Sequence, residues 1–177
     1  MAETPEKIGS FILNHKVKME IDTAGNRDMS ALDSAKWARL AAGINNVTPA
    51  ENDTTTNDEY YDGEGFGTSD VTSKRYQFTI AGHRLNGDPA QDYIASKQLE
   101  IGDALKTLFK FTYPDGAYIV GVVTLTNIQA TGGAPGAKQT FSVVAVFNGK
   151  PKYVSAEDAA KEQSGTVGPT TPTTPTA

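Results

Sequence analysis

The chain has no cysteine and only two histidines among its 177 residues. The first absence excludes disulfide frameworks, thiolate metal sites and cysteine nucleophiles together, and it fits folding in a reducing compartment. The second leaves His15 and His83 isolated, with no metal-ligand spacing between them. No stretch approaches the roughly 20 consecutive apolar residues that a membrane-spanning helix needs. The amino terminus carries Glu3, Glu6 and Lys7 before the short run Phe11-Ile12-Leu13. A secretory signal would want a basic start and a longer apolar stretch, so synthesis in the cytoplasm is the expectation. Basic residues are also in the minority, 16 against 21 acidic ones, for a formal charge of -5. That balance disfavours gripping a phosphate backbone, where affinity comes from Lys and Arg displacing counterions.

Catalytic patterns are missing as well. No serine stands in a nucleophile elbow, and Gly63-Glu64-Gly65-Phe66-Gly67 lacks the Gly-Lys-Ser/Thr sequel of a phosphate loop. Asp58, Asp62 and Gly63 are spaced like part of an EF-hand loop. Its third position would be Tyr60, however, and its twelfth Ser69 in place of the bidentate glutamate. The acidic pairs of this segment meet the minimum for glycoside hydrolysis, but nothing marks one carboxyl as desolvated. The residues therefore point to no enzyme, no metal and no cofactor.

What is present is period-two alternation. Leu13, Val17, Met19 and Ile21 alternate with Lys16, Lys18 and Glu20, which predicts a half-buried strand over 11–22 with His15 on its apolar side. Tyr76, Phe78 and Ile80 form a second alternating set, and Phe109 and Phe111 a third. Tyr113-Pro114-Asp115-Gly116 supplies turn chemistry. Residues 117–128 and 140–147 are rich in Val, Ile and Thr on both faces, which predicts strands covered on both sides. Asn148-Gly149 reads as a tight hairpin turn into a last strand near 152–154. One helix is well marked: Asp88 caps, Pro89 takes the first helical position, and the segment runs past Tyr93 and Ile94 to Lys97. Residues 33–42 suit helix by composition, but Trp37, Arg39 and Ala41 alternate, and a strand from Trp37 is favoured.

Two segments stand apart. Residues 48–73 hold seven acidic side chains (Glu51, Asp53, Asp58, Glu59, Asp62, Glu64 and Asp70) and no Lys or Arg, with Tyr60, Tyr61 and Phe66 among Gly, Thr and Asn. A connection of this length without evident structure is usually functional or disordered. Residues 155–177 end in Thr-Pro repeats and predict a flexible tail. The domain plan is thus an arm over 1–10, one β domain over 11–154 containing the 48–73 loop, and a tail over 155–177.

The order of these features resembles the tail tube proteins of siphophages. The resemblance runs through Trp37-Ala38-Arg39-Leu40-Ala41-Ala42-Gly43-Ile44, Thr48-Pro49, Tyr60-Tyr61-Asp62, Tyr76-Gln77-Phe78-Thr79-Ile80, Gly87-Asp88-Pro89, Asp92-Tyr93-Ile94 and the Phe111 to Gly116 hairpin. It implies a mainly β fold, a β-sandwich or small barrel with one flanking α-helix. It further implies hexameric rings of this chain stacked into a hollow tube of a virion tail, each subunit giving a four-stranded sheet to a continuous inner barrel. Tail tip or initiator, tape measure and terminator proteins would be partners, double-stranded DNA would pass through without specific binding, and no membrane would be involved. By position the resemblance places ring contacts at the amino-terminal arm and the 48–73 loop, with Glu51, Asp53, Tyr60, Tyr61, Asp62, Phe66 and Trp37 as interface candidates. Glu100, Asp103 and Asp115 are candidates for carboxylates facing the lumen. A secretion-system tube of the same fold and a carbohydrate-binding adhesin using Tyr60, Tyr61 and Phe66 are the competing expectations.

Overall fold

The computed structural model describes residues 11–163. The expected arm over 1–10 and the Thr-Pro repeats lie outside the described residues. Ten strands dominate the regular structure, in the order β1 (Lys18–Asp22), β2 (Trp37–Arg39), β3 (Ile44–Ala50), β4 (Thr54–Glu59), β5 (Gly67–Ser73), β6 (Gln77–His83), β7 (Lys106–Thr112), β8 (Tyr118–Gln129), β9 (Thr140–Phe147) and β10 (Lys152–Val154). Helix α1 (Pro89–Ser96) lies between β6 and β7, and α2 (Ala156–Gln163) follows β10.

Eight strands make one antiparallel sheet in the order β2-β1-β7-β8-β9-β6-β3, with β10 also paired to β8. Register aligns the apolar alternation across it. Met19 and Ile21 oppose Phe111 and Phe109, while Phe78 and Ile80 oppose Ala145 and Val143. All of these are buried on one face. That face is rich in aromatics, which favour offset and edge-on contacts; Phe78 meets Phe111 at 4.6 Å and Phe109 at 5.7 Å between centroids. The sheet therefore curls over its own core. It does not close, and its two edge strands β2 and β3 are consecutive in the chain, joined by residues 40–43.

Helix α1 plugs this core with Ala90 and Ile94. Its start is as the sequence predicts: the Asp88 carboxylate accepts from the Gln91 backbone N–H at 2.9 Å, and Pro89 follows the cap. Gln91 does something its position did not foretell. Its fully buried amide donates from Nε2 to the carbonyls of Ala42 (2.7 Å) and His83 (3.3 Å) and accepts at Oε1 from the N–H of Leu85 (2.8 Å). One side chain thus ties the β2–β3 corner, the end of β6 and the loop before α1 together.

Buried Asp22 does similar work at the other end of the chain. Its carboxylate accepts from the N–H groups of Ala24 (2.9 Å), Asn26 (2.9 Å) and Lys36 (2.7 Å), fixing the 23–36 loop, which includes the 3-10 turn Met29–Ser34.

Several expectations need correction. The first strand is shorter than 11–22: Asn14–Lys16 form a 3-10 turn, so His15 is exposed and leaves the apolar phase of Met19 and Ile21. Asn148-Gly149 is not a hairpin turn. Strands β9 and β10 both pair antiparallel with β8, so β10 continues in the direction of β9 along the same partner. Asn148 donates from its N–H to Val122 O (2.9 Å) and from Nδ2 to Thr124 Oγ1 (2.9 Å), which keeps the interruption pinned to β8.

Residues 48–73 are not structureless. Residues 48–50 complete β3, and β4 and β5 form a two-stranded hairpin outside the main sheet. Nor does the expected flexible tail begin at Ser155. Its hydroxyl accepts from the Asp158 N–H (3.2 Å) at the head of α2, and Ala159 is buried.

Candidate assembly surfaces

The β4–β5 hairpin leaves the sheet from its β3 edge. Glu59 pairs with Gly67 and Thr56 with Asp70, and every residue of both strands is exposed. Thr and Asn carry the β propensity here without an apolar face, and an isolated two-stranded hairpin is at best marginally stable in water. Its base is therefore informative. Asn52 adopts φ +47°, where the chain leaves β3. Across the base, Arg75 N–H donates to Glu51 O at 2.9 Å and Asn52 Nδ2 to Arg75 O at 3.1 Å. Lys74 completes the clamp by pairing with the Glu51 carboxylate and, at 3.6 Å, with Asp53. The hydrogen bond to Glu51 raises the Lys74 ammonium above the ordinary lysine range.

The tip is a double turn. Gly63 N–H donates to Tyr60 O (3.0 Å) and Phe66 N–H to Gly63 O (2.8 Å), with Glu64 and Gly65 at φ +50° and +87°. Tyr60, Tyr61 and Phe66 all project into solvent there beside Asp62. The calcium-loop spacing falls on a hairpin, with Asp58 opposite Thr68. Among the described residues no group of three or more His, Asp or Glu is placed to hold a metal.

The structure thus gathers Tyr60, Tyr61, Asp62 and Phe66 at the tip and Glu51 and Asp53 at the base. Trp37 is not with them: it lies on β2, at the edge opposite β3. There it lines a groove of about 710 Å³ with Leu32, Tyr118, Val120 and Ala159. The Lys110 ammonium sits 4.7 Å from the Trp37 ring centroid and pairs with Glu20 at 2.8 Å. Tyr118 donates to the Glu162 carboxylate, and burial, then that bond, raise its phenol above the ordinary range.

The three lumen candidates do not cluster either. Glu100 and Asp103 precede β7, and Asp115 follows it in the turn to β8. Asp103 pairs with Lys106 at 2.7 Å, a hydrogen bond that lowers its carboxyl below the usual carboxylate range. Asp115 accepts from the Ala117 N–H at 3.0 Å, which closes the turn.

The fold is shared with chains of gene transfer agent particles. A chain from the tail of an empty gene transfer agent particle, refined helically with C6 symmetry, matches with a TM-score of 0.65 over 82% of this chain and 100% of that one, at 13% identity. A chain from the virion of a native gene transfer agent particle matches with a TM-score of 0.60 over 82% and 100%, at 12% identity. No family model matches the sequence, and no curated protein matches it.

Sequence reasoning overlooked another apolar surface. Leu99 and Ile101 are 94% and 85% exposed after α1, and Phe11, Ile12 and Leu13 are exposed before β1. The alternation Leu99-Glu100-Ile101 was a signal of an apolar face, in a place where no strand forms.

Proposed function

We propose that the chain is a structural, non-catalytic subunit of a phage-type tail tube in a virion, with hexameric rings stacking into a conduit for genome ejection. The observation that carries this reading is the β4–β5 arm, a clamped two-stranded hairpin with an aromatic tip and no partner within the described chain. A fold shared with a chain of a C6-symmetric particle tail supports it. The arm would lie on the next ring, where Tyr60, Tyr61 and Phe66 leave water.

The solvent face of the half of the curled sheet away from the Trp37 groove fits a conduit wall. On the carboxyl half of β8 and on β9, β6 and β3, the side opposite the core carries Thr124, Thr126, Ser142, Val144, Gln77, Thr79, Asn46 and Thr48. A face of hydroxyls, amides and aliphatics offers DNA no Lys or Arg for counterion release, so the duplex slides without adhering. On this reading the wall is neutral, and Glu100, Asp103 and Asp115 lie off it.

Negative-stain microscopy of the purified chain, alone and with tail initiator, tests the reading. Rings or tubes with six-fold end views are expected. A chain that stays monomeric at high concentration with initiator present overturns it, and glycan binding through Tyr60 and Tyr61 would favour an adhesin instead.

A further inference from the structure

Leu99 and Ile101 are presented on a hydrogen-bonded turn. Lys97 N–H donates to Ile94 O (3.0 Å), Gln98 N–H to Ala95 O (3.2 Å) and Glu100 N–H to Lys97 O (3.0 Å). Gly102, at φ +64°, then turns the chain into the 3-10 segment Gly102–Leu105. The result is a fixed bulge of two exposed aliphatic side chains flanking Glu100, which has no ion pair among the described residues. Contiguous apolar groups held in solvent in this way mark contact sites.

The groove beside Trp37 has the complementary chemistry. Its apolar lining comes from Leu32, Trp37, Tyr118, Val120 and Ala159. Of the carboxylates along it, Glu20 is held by Lys110 and Glu162 by Tyr118. Lys18 and Lys152 also line it and, like Asp33, have no ion pair among the described residues, so two free ammonium groups face one free carboxylate.

Bulge and groove lie toward opposite ends of β7: the bulge precedes Lys106 by the 3-10 segment Gly102–Leu105, and the groove takes Lys110 and Thr112. We propose that the Leu99-Glu100-Ile101 bulge of one copy seats in the Trp37 groove of the next, the aliphatic side chains on its apolar floor and Glu100 between Lys18 and Lys152. Such a contact is heterologous, the kind that closes into rings or runs on as a filament. It rests on the tube reading for its partner, a second copy of this chain, and adds a contact independent of the β4–β5 arm.

The absence of native cysteine makes the test direct. The double variant Leu32→Cys with Leu99→Cys, oxidised after assembly, should give a ladder of covalent multimers on denaturing gels, whereas each single variant should give no species beyond a dimer. Glu100→Lys should weaken assembly at least about tenfold, and Lys18→Glu with Lys152→Glu in the same chain should restore it. Tubes that form normally without the ladder, and that ignore the charge reversal, overturn this contact and leave the tube reading standing. A strictly monomeric wild-type chain overturns both. The carboxy-terminal segment is the groove's occupant instead if deleting 164–177 unmasks Leu32→Cys to maleimide in tubes while Leu99→Ser does not.

Discussion

Phe78 on β6 and Phe111 on β7 stack with centroids 4.6 Å apart and planes 16° from parallel, although β8 and β9 lie between their strands in the sheet. Side chains across two intervening strands touch only if the sheet rolls over its own apolar face. The pair therefore fixes the curvature, and with it the outward face assigned to the conduit wall. Phe109, Tyr76 and Phe147 extend the cluster by further ring contacts with Phe78 or with each other.

Phe78→Ala should be the most damaging of the aromatic truncations, because it removes a ring contacted from several sides. A loss of about 3–5 kcal/mol is expected from lost burial plus the residual cavity. Urea denaturation of the monomer, followed by tryptophan fluorescence from Trp37, measures it; a loss below about 1 kcal/mol would mean the ring is not central to the core.

Gln91→Leu keeps the side-chain volume but removes four hydrogen-bonding contacts, to Ala42, His83, Leu85 and Arg84. Leaving buried carbonyl and N–H groups without partners costs about 1–3 kcal/mol for each one that water cannot reach. Lower thermal stability is expected, with faster hydrogen exchange at Leu85, whose N–H loses its acceptor. Exposed Gln98→Leu, measured in parallel, should leave both almost unchanged.

Much of this core was legible in the sequence because each strand buries one face. Phe109 and Phe111, or Phe78 and Ile80, keep a period of two that survives without knowledge of the partner strand. The arm was illegible for the same reason: β4 and β5 bury neither face, so Thr54–Glu59 shows no apolar phase, and only its threonines hint at extended backbone. Helix α2 was masked by the Thr-Pro composition that follows, although Ser155 with Asp158 three residues on is a helix-start signature. Separation of Trp37 from Tyr60 is a matter of topology. Nothing local in either segment says that β2 and β3, adjacent in the chain, lie at opposite edges of the sheet.

Gly82→Ala should distort the β2–β3 corner where the chain enters β3. A methyl group there would lie 2.2 Å from Gly43 O and 2.7 Å from Ile44 Cα, both backbone atoms that cannot swing aside. A loss of about 1–3 kcal/mol is expected, as for overpacking in a fixed site. Gly136→Ala, with open space around it, is the control. Similar melting temperatures for the two variants would contradict the close approach.

Alkaline unfolding should have a contribution from Tyr76. Burial, and secondarily the neighbouring Tyr113, push its phenol up to about 12 from an ordinary value of 10.0. The neutral form is thus favoured by folding. The associated stability is fully present below the unfolded value and is lost as pH rises toward the folded one. Stability of the wild type should therefore fall between pH 10 and about 12 more steeply than that of Tyr76→Phe. Denaturation midpoints across that range check it; parallel curves would remove Tyr76 from the account.

The arm can be removed without touching the sheet if the cut respects β3. Residues 48–50 pair with β6, and Glu51 is bonded to Arg75, so the deletion must begin after Asn52 and end before Lys74. Replacing 53–73 by a short Gly-Ser linker takes away β4, β5 and the tip while leaving every strand of the main sheet. Circular dichroism and the melting temperature of the monomer should stay close to wild type, because none of the removed side chains belongs to the buried core. Tube formation should be lost, since the aromatic tip would no longer reach the next ring. Tubes of normal length from this variant would show that stacking is carried by other surfaces, leaving the arm without the role assigned to it.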